Sequence, residues 1–138
     1  MQTKKSILIV DDDKDYVECL TIMLEAAGFD VSSASNATDC MTAVKRKKPD
    51  LIVLDIMMEK LVSGLHVGYE LRADPDFKDI PIIMVSAILE ETGFDVAAAK
   101  GTEYVAADEF LNKPVKPQVL LTTINRLIAK STRRNPSP

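Results

Sequence analysis

Cysteine is scarce in this chain, and what little there is has no framework. The two cysteines, Cys19 and Cys40, form no C-x-x-C pair. No structural disulfide is expected, and both read as small buried or half-buried hydrophobes inside helical patterns. Long apolar runs are missing as well. Only Lys4 and Lys5 precede a five-residue run, which is too short for a signal-peptide core or a membrane span, so a cytoplasmic location and no membrane partner are expected. Apart from the Lys4-Lys5 pair, basic residues run together only at Lys45 to Lys48 and Arg133-Arg134, and the chain carries a net charge of −4. Nucleic acid and anionic membrane are therefore not expected as obligatory partners, because such binding rests on basic clusters. A solvated helix end and a chain end explain the two runs. The first loop has no glycine-rich or hydroxyl-rich stretch to cradle a phosphate, which speaks against a flavin or nucleotide domain. With 138 residues, 46% of them hydrophobic and 28% charged, what remains fits one folded domain with its own core.

Apolar runs alternate with helical patterns. Ser6 to Val10 reads as a strand. Tyr16, Val17, Leu20, Met23, Leu24 and Ala27 then recur at three- and four-residue steps until Gly28 supplies a stop. A second strand is expected over Phe29 to Ala34, then Asn36 as an N-cap and a helix ending in the basic run before Pro49. Strands follow at Asp50 to Leu54, Ile80 to Ser86 and Asp108 to Leu111. Helices are expected over Leu65 to Ala73, within Phe94 to Tyr104, and over Gln118 to Lys130, the last entered through Pro117. Five strands alternating with five helices predict an α/β, flavodoxin-like doubly wound fold: a five-stranded parallel sheet in the order 2-1-3-4-5. Residues 1–130 form the expected domain and 131–138 a disordered tail.

The acids stand where strands end. Strand one leads into Asp11-Asp12-Asp13, and the third apolar run ends on Asp55. In a parallel sheet both ends share one edge, beside the point where the strand order reverses. Like charges about 4 Å apart repel by roughly 4 kcal/mol at an effective dielectric of about 20. Carboxylates plus water suit a hard divalent cation, so the cluster implies Mg²⁺. Two more strand ends, Ser86 and Asn112-Lys113-Pro114, bring a hydroxyl and an ammonium to the same edge.

The segments ILIVDDD, LIVLDIMM, IPIIMVSA and DEFLNKP, in this order and at these spacings, resemble a response regulator receiver domain, the phosphoacceptor module of two-component signalling. The likeness extends from Lys5 to about Lys130. It implies that Asp55 accepts a phosphoryl group from a sensor histidine kinase or phosphotransfer protein. Asp11 and Asp12 would hold Mg²⁺ with Asp55 and the backbone carbonyl of Met57, while Asp13 is better read as a helix cap than as a ligand. Ser86 matches the hydroxyl that binds a phosphoryl oxygen, Lys113 the site lysine, and Pro114 the proline that follows it. Phe110 matches the switch aromatic that answers movement of Ser86. The chemistry agrees: aspartate is a weak nucleophile, and in-line phosphoryl transfer depends on positioning and charge neutralisation. The resemblance thus implies a phosphoacceptor that takes part in its own phosphorylation and dephosphorylation, not an enzyme acting on a separate substrate. Its signal is expected at the face of the fourth predicted helix, strand five and the fifth predicted helix. A downstream output protein or a homodimer would read that face.

The sequence also departs from the family. Glu59 stands where a proline is common, Lys60 to Gly64 is one residue longer, and the segment after Ser86 is extended within Ile88 to Phe94. Met57 and Ile88 occupy positions that tune hydrolysis of the acyl phosphate, and as apolar residues they imply slow autodephosphorylation. Two other readings are weaker. A haloacid dehalogenase-type phosphohydrolase would use Asp11-x-Asp13, but would need a further acidic pair after strand four and would leave Asp55 without a role. A receiver-like module acting without phosphorylation would not require this full set of site residues.

Overall fold

Five short strands lie side by side, the central ones buried on both faces by the helices packed against the sheet. The computed structural model describes residues 4–56, 63–86, 107–113 and 115–134. In chain order the elements are β1 (Ser6–Val10), α1 (Lys14–Ala26), β2 (Asp30–Ala34), α2 (Ala37–Arg46), β3 (Leu51–Asp55), α3 (Ser63–Ala73), β4 (Ile82–Ser86), β5 (Glu109–Asn112) and α4 (Pro117–Arg134). Every ladder is parallel and the order is β2-β1-β3-β4-β5. Four helices stand among the described residues rather than the five that the sequence predicts. The one expected within 94–104 lies outside them.

Period-two alternation divides the strands between two cores. Leu8, Val10, Ile52, Leu54, Ile82, Met84 and Phe110 point to one side, where Cys40 and Val44 of α2 and Val67 and Leu71 of α3 cover them. Ile7, Ile9, Leu51, Val53, Ile83 and Val85 point to the other, against Leu20 and Leu24 of α1 and Leu120, Ile124 and Leu127 of α4. A sheet covered on both faces explains why β1 and β3 read as continuous apolar runs. Only β2, at the edge, is largely exposed. Among the described residues no helix is long and apolar enough to cross a membrane.

Local chemistry sets the helix ends. Asp13 caps α1 by accepting from the backbone N–H groups of Asp15 and Tyr16, both at 3.1 Å. Gly28, at φ 97°, makes the turn after α1 in a region that other residues rarely adopt. Asn36 caps α2 through Asp39 N–H at 2.8 Å, and Lys45 and Arg46 occupy the last turn, facing the negative end of the dipole.

The structure departs from the sequence reading by a residue or two at several element ends, and more tellingly at three points. Asp55 is the last residue of β3 rather than the residue after it, because its backbone continues the ladder opposite Val85. Helix α4 runs to Arg134, so residues 131–134 are helical and not tail. Cys19 is exposed, whereas Cys40 is fully buried. On α1 the buried stripe runs through Leu20 and Leu24, and Cys19 sits one step round the helix, on the water side.

Candidate functional site

The register of the sheet assembles the site. Val10 pairs with Leu54, Leu54 with Met84, and Met84 with Phe110, forming one row across four strands. One step further towards the C-terminal edge come Asp11 and Asp55, then Ser86 opposite Asn112, then Lys113. Backbone pairing alone therefore brings two acids, a serine and a lysine from four segments to one edge.

The side chains of the acids converge there. Asp11, Asp12 and Asp55 each offer a carboxylate oxygen within 4.8 Å of the others. Asp11 and Asp55 are both 4% exposed, and Asp12 faces solvent. Lys113 lies among them, its Nζ 3.0 Å from Asp11 Oδ2 and 3.7 Å from Asp55 Oδ2. The other oxygen of Asp11, Oδ1, accepts the Asp13 backbone N–H at 3.0 Å, which fixes the carboxylate's orientation. Burial works against the Lys113 charge, but Asp55 and Asp11 outweigh it and raise the ammonium above its ordinary range. Lys113 is therefore a cation at neutral pH.

Three carboxylates against one ammonium leave the cluster two negative charges in excess. The donor set is all oxygen, so the residues present fit a hard divalent cation and would suit a soft one poorly. This cluster could hold a metal ion, and its carboxylates are those the sequence singled out.

The remaining expected residues fall as follows. Phe110 is 5% exposed and packs into the core on the α2 and α3 side, so the aromatic faces inward. Ser86 ends β4 with its backbone opposite Asn112. Met57, Glu59, Pro114 and the stretch 87–94 lie outside the described residues. Asp13 is the α1 cap.

One residue of the site was not legible as such. Tyr16 reads in the sequence as a helix-face hydrophobe, yet Lys113 Nζ stands 4.6 Å from the centroid of its ring. Burial raises the phenol above its ordinary range, Lys113 opposes that, and Asp11, Asp55 and Asp13 add to it. An aromatic in the first turn after an acidic cluster was the available signal, but pairing it with a lysine 97 positions later needs the fold.

A family model described as the response regulator receiver domain matches residues 7–125. The DNA-binding response regulator MtrA of Mycobacterium tuberculosis is 34% identical over 128 residues, covering 93% of this chain and 52% of the relative. The alkaline phosphatase synthesis transcriptional regulatory protein PhoP of Bacillus subtilis is 36% identical over 133 residues, covering 96% of this chain and 52% of the relative. The chain thus spans about half the length of the curated relatives it matches. The crystal structure of the signal receiver domain of a signal transduction histidine kinase from Syntrophus aciditrophicus superposes with a TM-score of 0.81, at 27% identity and 97% coverage of each chain.

Proposed function

The chain belongs to the response regulator receiver domain family, and from that premise we propose that it is a Mg²⁺-dependent phosphoacceptor whose Asp55 takes a phosphoryl group from the phosphohistidine of a sensor kinase or phosphotransfer protein. What carries the reading is the gathering of Asp11, Asp12 and Asp55 within 4.8 Å, with Lys113 Nζ 3.0 Å from Asp11 and 3.7 Å from Asp55. No other group of chemistry-bearing side chains among the described residues combines burial, charge excess and a cation in this way.

In the transfer, a carboxylate oxygen of Asp55 forms the new bond to phosphorus while the donor's N–P bond breaks. The departing nitrogen keeps the bonding pair, and the ring leaves as neutral imidazole when its other nitrogen carries a proton. Asp11, Asp12, Asp55 and the Met57 carbonyl would hold Mg²⁺, which would supply positive charge against the negative charge of the transferring group. Lys113 donates to a phosphoryl oxygen and holds the acceptor edge at the geometry that in-line attack requires. Burial of Asp55 keeps bulk water from that edge.

The phosphoaspartate brings added negative charge and new acceptor oxygens to a site bounded by the strand ends. Ser86 binds one of those oxygens, an arrangement that favours the inward position Phe110 already occupies. The face that carries β5 and α4, to which the sequence reading adds residues 94–104 outside the described ones, is then read by an output protein or by a second copy. That a cytoplasmic kinase and an output partner serve this chain is part of the same proposal, as is the absence of direct nucleic-acid binding by this domain.

The test is the intact mass after incubation with acetyl phosphate and Mg²⁺. A single phosphoryl adduct that needs Mg²⁺ and is absent from Asp55→Asn is the expected result. A folded, Mg²⁺-binding wild type that gains no adduct would sink the reading and leave an interaction module that works without phosphorylation.

A further inference from the structure

Tyr16 enters the site from the first turn of α1. Its backbone N–H is held by Asp13 Oδ1 at 3.1 Å, so the cap that starts the helix also sets the position from which the ring projects. The body of the ring packs against the core on the α1 and α4 side, and Lys113 Nζ lies 4.6 Å from its centroid. Its hydroxyl oxygen is buried and has no hydrogen-bond partner among the described residues. The transfer chemistry above makes no use of this side chain.

Lys113 has three supports: Asp11, Asp55 and the ring. A metal affects them differently. Asp11 and Asp55 belong to the cluster a divalent cation would draw on, so metal binding weakens their hold on the ammonium and adds a repulsion. An aromatic face offers no lone pair to a hard cation, and in a half-buried setting it keeps its attraction for an ammonium. The contact with Tyr16 is therefore the one that survives metal loading.

We propose that Tyr16 is a positioning residue of the phosphoryl-transfer site: its ring seats the Lys113 ammonium when the carboxylates turn to the metal, keeping Nζ in place for an oxygen of the arriving phosphoryl group. This rests on the reading of Asp55 as acceptor. The role belongs to the ring and not to the hydroxyl, so phenylalanine preserves it and an aliphatic side chain does not.

Tyr16→Phe, Tyr16→Leu and Tyr16→Met, the last keeping more of the side-chain length, are compared with wild type in the full chain. Two readouts are taken. One is the rate of adduct formation with acetyl phosphate at saturating Mg²⁺. The other, taken without donor, is the ring-current shift of the Lys113 side-chain protons by NMR, metal-free and with Mg²⁺. The aliphatic variants are expected to lose the ring-current shift and to slow transfer about tenfold at saturating Mg²⁺, with Mg²⁺ affinity held within about twofold. Tyr16→Phe keeps the shift and a rate within about twofold of wild type. Three results overturn the proposal: folded aliphatic variants that transfer at the wild-type rate, a Tyr16→Phe that falls as far as they do, or no ring-current shift at Lys113 in Mg²⁺-loaded wild type. A wild type that keeps the shift but accepts no phosphoryl group sinks instead the acceptor role of Asp55, so the two failures are distinguishable.

Discussion

Cys40 shows how much one residue's environment can alter ordinary chemistry. It is fully buried between α2 and the sheet, and burial, with a smaller push from Glu70, raises its thiol from 9.0 to about 12. Below pH 9 the thiol is neutral in both folded and unfolded chains. Between pH 9 and 12 the unfolded chain ionises it while the folded chain does not, so stability falls as pH rises, by about 1.4 kcal/mol per pH unit from this group. Urea unfolding of wild type and Cys40→Ala across that window should show wild type losing ground at that slope. A pH-independent difference would show that burial does not act on the thiol in this way. The contrast with Cys19, exposed on α1, marks a limit of reading residues from periodicity. The pattern locates a helix well but leaves the flanks of its buried stripe open, because one residue is about 100° of rotation.

The elements are held by polar clasps as well as by their apolar faces. Arg72, in the last turn of α3, donates through Nη1 to the carbonyls of Lys78 and Ile80, both at 2.7 Å, and through Nη2 to Asp108 at 2.5 Å. The same Asp108 oxygen accepts the backbone N–H of Ile82 at 2.8 Å, so one guanidinium ties the end of α3 to the entry of β4 and to the residue before β5. Arg72→Ala is expected to cost about 2 kcal/mol in urea unfolding, since charge-assisted bonds are lost and carbonyls are left without their donor. Arg72→Lys should restore less than half, because one ammonium cannot span three acceptors in fixed directions. A loss within about 0.5 kcal/mol for the alanine variant would assign the clasp to the surface without energetic weight. Helix caps were legible in advance at Asp13 and Asn36, as each depends on residues two or three positions away. The Arg72 clasp was not, because its partner Asp108 is 36 positions distant.

At the scale of the molecule, the excess of carboxylate over ammonium at one sheet edge is expected to link stability to metal. Mg²⁺ at about 100 times its dissociation constant is expected to add about 2.7 kcal/mol, a gain of several degrees in the thermal midpoint. Asp55→Asn removes one of the like charges, so its metal-free midpoint should rise while the gain from Mg²⁺ shrinks. A variant that moved both quantities in the same direction would show that the acids do not act as one cluster. The strand order, the parallel pairing and the convergence of Asp11, Asp12 and Asp55 were determined by the sequence alone, because they follow from local alternation of apolar runs and helical faces under the few rules that govern parallel sheets. Only the tertiary structure decided that Asp55 completes β3 opposite Val85, that Cys19 faces water, that Arg72 meets Asp108, and that Tyr16 lies under Lys113. Those are meetings between side chains and segments separated along the chain or turned about a helix axis. Their outcome depends on register and packing distance, which a one-dimensional pattern does not carry.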